Sequence, residues 1–188
     1  LTGCLRITKE SIFTGLNNFN VYTVQDVQYN EYFGFTDAEI REMMAYYGFT
    51  GKYDLVKDWY DGYRFGDLEI YCPWDVISYC HAMKMNPSVR PKNYWVNTSG
   101  NDIIRKFIAG ANAATRSEIE QLMEGGSVRK KLRQELTYRD LDLKVDHLWS
   151  LLFTTGYLTQ CGEEENDTVE LAIPNREVRW IFAEQIRE

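Results

Sequence analysis

Two carboxylates and a lysine are the residues of this sequence with the clearest potential for metal-dependent chemistry. Asp142 and Lys144 form an Asp-x-Lys triplet, and Asp75 follows Pro73 by two positions. Metal-dependent nucleases pair carboxylates with a lysine, because the carboxylates hold the metal and the lysine stabilises developing charge. The spacing here is wide, and Asp142 falls in a predicted loop. Solvated loop charges therefore explain the pattern better than a nuclease site.

Nucleophilic and zinc-dependent chemistry is also poorly supported. His81 shares a predicted helical face with Trp74 and Ile77, and His147 lies on an apolar predicted helix. We expect both histidines to be packed structural residues rather than catalytic bases. The four cysteines contain no CxxC pair, so they give no zinc spacing. The sequence predicts no metal centre and indicates reduced thiols in a cytoplasmic protein.

Phosphate-binding chemistry has no complete motif in the chain. The Gly51-Lys52 pair has no glycine five residues earlier, and Tyr53 follows it where a phosphate-binding loop has Ser or Thr. No aliphatic run ends in an Asp-Glu pair that could hold magnesium. We therefore expect the chain by itself not to hydrolyse ATP.

A basic stretch is the candidate for nucleic-acid contact. It consists of Arg129, Lys130, Lys131, Arg133 and Arg139, with Tyr138 as a neighbouring aromatic. The alternative is a solvated strand face whose charges Glu135 and Asp140 balance. The chain has a net charge of −7, from 28 acidic and 21 basic residues, and such a charge repels phosphate at long range. A nucleic-acid partner therefore stays open as an alternative and is not favoured.

The composition is typical of a folded protein without a membrane span. Hydrophobic residues make up 44% of the 188 residues and aromatic residues 14%, enough apolar surface for one core or two small ones. No apolar run approaches the roughly 20 residues that cross a bilayer, so no membrane partner is expected. The chain opens on Leu1 in the middle of a strand-like pattern, and we expect it to be a fragment.

The first half of the chain has the signals of successive helices. The residues from Thr36 to Glu39 form a capping box ahead of an apolar helical stripe, which Gly48 ends. A second short helix ends at Gly62, and Pro73 suits the first turn of a third. A fourth helix ends near Gly110. We predict a mainly helical N-terminal two-thirds.

The second half mixes helices with short strands. The residues from Ser117 to Glu120 form a second capping box, and an alternating strand pattern starts at Val128. A helix from Val145 to Thr155 precedes a hairpin signal from Tyr157 to Ile173, and Asn175 can cap a last helix. The predicted fold is mainly α with a small β component, and its last part is winged-helix-like.

Several long stretches, in a fixed order, carry a resemblance to a known family. They are Leu1-Thr2-Gly3-Cys4-Leu5-Arg6-Ile7, Glu10 to Phe19, Tyr32 to Thr36, Trp59 to Gly66, Tyr71-Cys72-Pro73-Trp74-Asp75, Tyr94 to Ser99, Leu151 to Thr159 and Ile173 to Arg179. Together they resemble the AAA-ATPase-like family of bacterial and archaeal proteins, which often carries a PD-(D/E)XK nuclease-like domain downstream. The likeness covers nearly the whole chain.

The resemblance implies three regions. Residues 1–35 would be a remnant of the ATPase core, residues 36–112 a helical lid, and residues 113–188 the winged-helix-like domain. The N-terminal P-loop core would lie before Leu1 and a nuclease-like domain after Glu188, so ATP and Mg²⁺ are expected for the full-length protein and not for this fragment. The lid and winged helix would couple nucleotide state to a partner. The alternatives are an independent module that binds DNA or protein, and a scaffold that does not hydrolyse ATP.

The resemblance also implies three site residues. Thr2 would end the strand that senses the γ-phosphate and orient water, and Arg6 in the next turn would stabilise charge on phosphate, both only in the full-length protein. The alternatives are a strand-end hydroxyl bonded to backbone for Thr2 and a surface salt bridge for Arg6. Arg64 is the cofactor-binding candidate in the aromatic stretch from Trp59 to Gly66, whose other members more often build a rigid turn.

Overall fold

Helices dominate the part of the chain that the structure describes. The structure is a computed structural model, and it describes residues 22–95, 102–132 and 145–187. These ranges contain seven helices: α1 (Asp37–Tyr46), α2 (Tyr53–Tyr60), α3 (Pro73–Met85), α4 (Asp102–Ala109), α5 (Ala113–Met123), α6 (Val145–Thr154) and α7 (Arg176–Arg187). They also contain five strands: β1 (Tyr63–Phe65), β2 (Leu68–Ile70), β3 (Val128–Lys130), β4 (Thr159–Gln160) and β5 (Val169–Ala172). The prediction of a mainly α fold with a small β component is confirmed.

The strands form two small antiparallel sheets. β1 and β2 make a hairpin that turns at Gly66, whose φ of +58° suits glycine. β3, β5 and β4 make a second sheet in that order, with β5 in the middle. The hairpin predicted between Tyr157 and Ile173 is present as β4 and β5. The aromatic turn that follows α2 contains the first strand of the β1–β2 hairpin, which sequence patterns had not indicated.

Local capping signals position three of the helices as predicted. The Thr36 hydroxyl accepts a hydrogen bond from the Glu39 N–H at 3.3 Å, and the Glu39 carboxylate accepts one from the Thr36 N–H at 2.8 Å. Pro73 occupies the first turn of α3. The Asn175 side chain accepts a hydrogen bond from the Val178 N–H at 3.0 Å and so caps α7. These bonds satisfy N–H groups that have no partner within the helix.

The predicted start of α5 is wrong. The helix begins at Ala113, because the Asn112 side chain caps it by accepting the Thr115 N–H at 2.9 Å. Ser117 therefore lies inside the helix. Asparagine is among the best capping residues, and the alanines that follow have high helix propensity, so the earlier start is favoured.

The predicted buried face of α3 is also wrong. Trp74 and Ile77 are 57% and 51% exposed, and His81 is exposed, so this histidine is not a packed core residue. The helix buries another face, formed by Asp75, Val76, Tyr79, Cys80 and Met83. Both faces have apolar residues at helical spacing, and packing against the neighbouring elements decides which of them is covered.

The buried apolar side chains form two hydrophobic cores. The first core lies among α1, α2 and α3 and contains Ile40, Met44, Val56, Tyr60, Tyr71, Val76, Tyr79, Cys80 and Met83. The second core lies among α4 to α7 and the three-stranded sheet, and its most buried members include Ile104, Phe107, Trp149, Leu152, Leu171, Val178 and Phe182. Burial of apolar area stabilises each core separately, so the contacts between them determine how firmly they are held together.

Candidate functional site at the seam between the two cores

Polar contacts join the two cores. We call this region the seam, and it comprises residues 58–63, Asp75, residues 92–95 and residues 174–177. The Asn175 side chain donates a hydrogen bond to the Asp61 carbonyl oxygen at 3.0 Å, and the Arg176 guanidinium forms an ion pair with Asp58 at 2.9 Å. These contacts tie the end of α2 to the start of α7.

Glu177 is the central acceptor of the seam. Its side chain is fully buried in the first turn of α7. Its Oε1 atom accepts the N–H groups of Tyr94 at 2.5 Å and Trp95 at 2.9 Å. The preceding backbone is held by Tyr60, whose hydroxyl donates to the Lys92 carbonyl at 2.9 Å. One carboxylate oxygen thus anchors a connecting segment that has no regular secondary structure.

Asp75 faces Glu177 from the other side of the seam. It lies in the first turn of α3, is 1% exposed, and its carboxyl group lies close enough to that of Glu177 for each to shift the pKa of the other. The thiol of Cys72, the N-cap residue of α3, lies beside it. When both groups are treated as carboxylates, three of their buried oxygens accept no hydrogen bond: the two Asp75 oxygens and Glu177 Oε2. A proton between the two groups would supply the missing donor.

The buried environment favours the protonated form of this pair. Burial, followed by the neighbouring Asp75 charge, raises the pKa of Glu177 to about 8, although the N–H groups of Tyr94 and Trp95 lower it. Burial likewise raises the pKa of Asp75. Two carboxyl groups in contact titrate as a unit, because ionisation of one disfavours ionisation of the other. The pair therefore retains a proton at neutral pH.

Neutral polar side chains surround the pair. Burial raises the pKa of the Tyr60 and Tyr63 hydroxyls, and the negative charges of Asp75 and Glu177 raise it further. The Asn175 side chain lowers the pKa of the Tyr63 hydroxyl, but burial has the larger effect. Burial, followed by the Asp75 charge, raises the pKa of Cys72 to about 12. The thiol is therefore a poor nucleophile at neutral pH.

A cleft opens beside the seam, between the two cores. It has a volume of about 440 Å³, which lies within the range of small-molecule sites. Its walls are mainly apolar and include Tyr63, Phe65, Trp95 and Phe153, while Cys72 links it to the carboxyl pair. The cleft thus borders Tyr63, Cys72 and Trp95, which lie beside the carboxyl pair.

Arg64, the cofactor-binding candidate, lines this cleft. Its backbone N–H donates to the Thr159 hydroxyl at 2.8 Å, and its Nε donates to the Gly66 carbonyl at 3.0 Å. Within the described ranges its guanidinium forms no ion pair. The catalytic candidates Thr2 and Arg6 lie outside the described residues.

The described part of the basic stretch, Arg129 to Lys131, is balanced by acidic neighbours, and Arg133, Tyr138 and Arg139 lie outside the described residues. Four ion pairs involve these described residues: Arg129 with Glu165 at 2.8 Å and with Glu170 at 3.5 Å, Lys130 with Glu118 at 2.6 Å, and Lys131 with Asp167 at 3.1 Å. The predicted counter-charges, Glu135 and Asp140, lie outside the described residues, as do Asp142 and Lys144. The observed pairs agree with a charge-balanced surface at the described basic residues and place no free basic patch there.

The sequence patterns missed the carboxyl pair. Asp75 had been interpreted as a solvated charge, which is wrong because its side chain is buried. The sequence patterns did not single out Glu177, because an acidic residue is common in the first turn of a helix. Both residues lie in stretches that carry the family resemblance, and this was the available signal. No local pattern predicts a contact between residues so far apart in the sequence.

The part of the chain that the structure describes contains neither a candidate metal site nor a candidate membrane-spanning helix. No group of three or more His, Cys, Asp or Glu residues there could hold a metal ion. No helix within the described ranges has the length and apolar character needed to cross a membrane. His147 is buried on α6, as expected for a structural histidine.

Comparison with known proteins gives a distant likeness. The chain is 25% identical over 183 residues to a protein from Azotobacter chroococcum mcd 1 named "Uncharacterized protein in vnfD 5'region". That match covers 95% of this chain and 32% of the relative, so the chain spans about a third of the relative's length. No family model matches the chain, and no solved structure matches it. The printed name of the relative states no activity.

Proposed function

We propose that this chain is the helical lid and winged-helix-like part of an AAA-ATPase-like protein in the cytoplasm. In this proposal residues 1–35 end the ATPase core, residues 36–112 form the lid and residues 113–188 the winged-helix-like domain. ATP and Mg²⁺ bind in a P-loop core outside these 188 residues, and the chain alone is not a catalyst. Its role is to transmit nucleotide state to a partner or to a downstream nuclease-like domain.

The arrangement of elements supports a helical region followed by a winged-helix-like region, although α4, which lies within residues 36–112, packs in the second core. The first core is built by three helices, as a helical lid requires. The later part of the chain runs α5, β3, α6, β4, β5 and α7, with sheet order β3-β5-β4. A helix, a strand, a second helix and a hairpin whose last strand lies centrally agree with a winged-helix-like module.

The observation that carries the proposal is the seam. A coupling element needs two bodies whose relative position can change between discrete states. Asp75 and Glu177 place two ionisable groups where the two cores meet, and burial of carboxyl groups costs free energy that an apolar contact would not. In this proposal the contact between the two cores rearranges more readily than the interior of either core.

Arg64 has a specific role in this proposal. It lines the cleft at the seam, and its guanidinium would contact an anionic group of the nucleotide or of the partner. A change in that contact would act on the cleft walls and therefore on the seam. Thr2 and Arg6 keep their proposed roles beside the γ-phosphate, where a guanidinium stabilises charge that develops during phosphoryl transfer.

Hydrogen exchange in the full-length protein tests the coupling. We expect ATP with Mg²⁺ to change the protection of the Tyr94 and Trp95 amides at least several-fold, while the Ile40 amide inside α1 stays unchanged as an internal control. Calorimetry should show ATP binding to the full-length protein and none to the 188-residue chain. Arg6→Ala should lower kcat about tenfold, or about 1.4 kcal/mol, without unfolding the protein.

Three outcomes would contradict the proposal. Saturable ATP binding by the 188-residue chain would place the nucleotide site inside it. ATP hydrolysis with unchanged seam protection would remove the coupling role. A full-length protein that neither binds nor hydrolyses ATP would favour the scaffold. DNA binding by the 188-residue chain that weakens steeply with salt would instead favour the independent binding module.

A further inference from the structure

The Asp75–Glu177 pair joins the first turn of α3, in the first core, to the first turn of α7, in the second. We propose that this pair is a proton-operated latch, in which one shared proton holds the two cores together and its loss loosens the seam. The latch is a device within the fold and operates whether or not the protein has a nucleotide-binding core. It goes beyond the coupling role by naming the group that opens and closes the contact.

The buried oxygens of the pair favour a shared proton in the closed state. Glu177 Oε1 is already occupied by the N–H groups of Tyr94 and Trp95, and three oxygens of the pair remain without a donor. A proton on one carboxyl group forms a hydrogen bond to the other, which is among the stronger kinds because the acceptor is charged. The side chains are 0% and 1% exposed, so water does not replace this bond in the closed state.

The surroundings of the pair can stabilise one negative charge but not two. Two backbone N–H groups and the first turns of two helices favour a single carboxylate. The titratable side chains that act on the pair from α2, β1, the start of α3 and segment 92–95 are all neutral near pH 7, and they are Tyr60, Tyr63, Cys72 and Tyr94. The cations of α2 and α7 at the seam have other partners, since Lys57 pairs with Asp61 at 3.2 Å and Arg176 pairs with Asp58 at 2.9 Å. A second negative charge would therefore stay uncompensated.

The open state forms when the shared proton is lost. The proton passes to solvent, and the charge of the pair changes from −1 to −2. Like charges in contact within a region of low dielectric repel strongly, and separation lets water reach them. Segment 92–95 is hydrogen-bonded to Glu177 on α7 and to Tyr60 on α2, which belongs to the same core as α3. The hydrogen bonds of this segment are therefore strained when the two cores move apart.

Hydrogen exchange of the 188-residue chain at different pH values tests the latch. The readout is the protection factor of the Tyr94 and Trp95 amides, which corrects for the intrinsic rise of exchange rate with pH. In the wild type we expect it to fall by up to about tenfold per pH unit between about pH 5 and pH 8 and to level off above pH 8, since one proton is released on opening only within that range. In Glu177→Gln the new amide donates to the Asp75 carboxylate and its oxygen still accepts both N–H groups, so protection should stay constant.

Two further variants complete the design. Asp75→Asn supplies a donor from the other side, and we expect the same constant protection. Asp58→Asn is the matched control, because it removes the exposed Asp58–Arg176 ion pair across the same seam and should leave the wild-type pH profile.

Carbon-13 titration of the two carboxyl groups in the wild type gives an independent decision. We expect one group of the pair to change ionisation near pH 8. The latch is refuted if both carboxyl groups titrate below pH 5, or if folded Glu177→Gln and Asp75→Asn retain the wild-type protection profile. If circular dichroism shows that both variants are unfolded, the wild-type titration decides alone.

Discussion

Asn175 shows how a single side chain can serve both a helix and the seam. Its Oδ1 atom caps α7 by accepting the Val178 N–H, and its Nδ2 atom donates to the Asp61 carbonyl. Both bonds are buried, because Asn175 is only 7% exposed. Loss of this side chain would therefore leave polar backbone groups of two elements without partners.

We expect Asn175→Ala to lower the free energy of unfolding by about 3 kcal/mol, from a lost cap of about 1 kcal/mol and the cost of an unpaired buried carbonyl. The matched control is Thr36→Ala, which removes an exposed cap on α1 and should cost about 1 kcal/mol. Urea unfolding measures both. An Asn175→Ala cost no larger than that of Thr36→Ala would mean that the Asp61 contact contributes nothing to stability.

At the scale of elements, the close approach of two connections fixes how α2 and α7 meet. Gly62 follows α2 with a φ of +92°, and a Cβ atom there would overlap the carbonyl oxygen of Pro174. Pro174 precedes the cap of α7. The two helices therefore require glycine at this position for both its conformation and its size.

We predict that Gly62→Ala lowers the free energy of unfolding by more than about 3 kcal/mol, since the strain of a positive φ adds to the overlap with backbone. Gly48→Ala is the control, because its φ is +74° but no atom lies within 4 Å of the added Cβ. That change should cost about 1 to 2 kcal/mol. Thermal and urea denaturation compare the two variants, and equal costs would argue against the close approach of the connections.

At the scale of the whole molecule, two carboxylates give stability opposite pH dependences. The folded-state pKa of Glu177 lies above its unfolded value, so its stabilisation is present below about pH 4.5 and is lost as pH rises to about 8. The pKa of Asp37 is held below its usual range by the Tyr53 hydroxyl, Arg41 and Tyr71, so its contribution is present above about pH 4 and is lost in acid. Asp37 is partly exposed, which reduces that contribution.

We therefore expect the stability of the 188-residue chain to be greatest near pH 5 and to fall between pH 5 and pH 8 by at most about 1.4 kcal/mol per pH unit. Glu177→Gln should flatten this decline and leave the acid limb unchanged. Urea unfolding at a series of pH values checks both limbs. A wild-type stability that is constant from pH 5 to pH 8 would contradict a buried, protonated carboxyl pair.

The sequence by itself determined the features that depend on neighbouring residues. The cap at Thr36, the first-turn Pro73, the cap at Asn175 and the hairpin that contains β4 and β5 were all predicted, because each rests on bonds within a few residues. The α5 start was missed since two capping signals competed within a few positions, and the asparagine was the stronger. Composition likewise predicted a folded chain, and helical spacing predicted that it is mainly α.

Only the tertiary structure decided which apolar face of α3 is buried and which charges meet. Helical periodicity does not distinguish Trp74 from Val76, because both are apolar, but packing covers Val76 and leaves Trp74 exposed. Asp75 and Glu177 look like ordinary first-turn acids, and their shared proton follows from burial against each other. Burial and charge–charge contact depend on distances between residues far apart in the chain, and local periodicity and capping patterns carry no information about those distances.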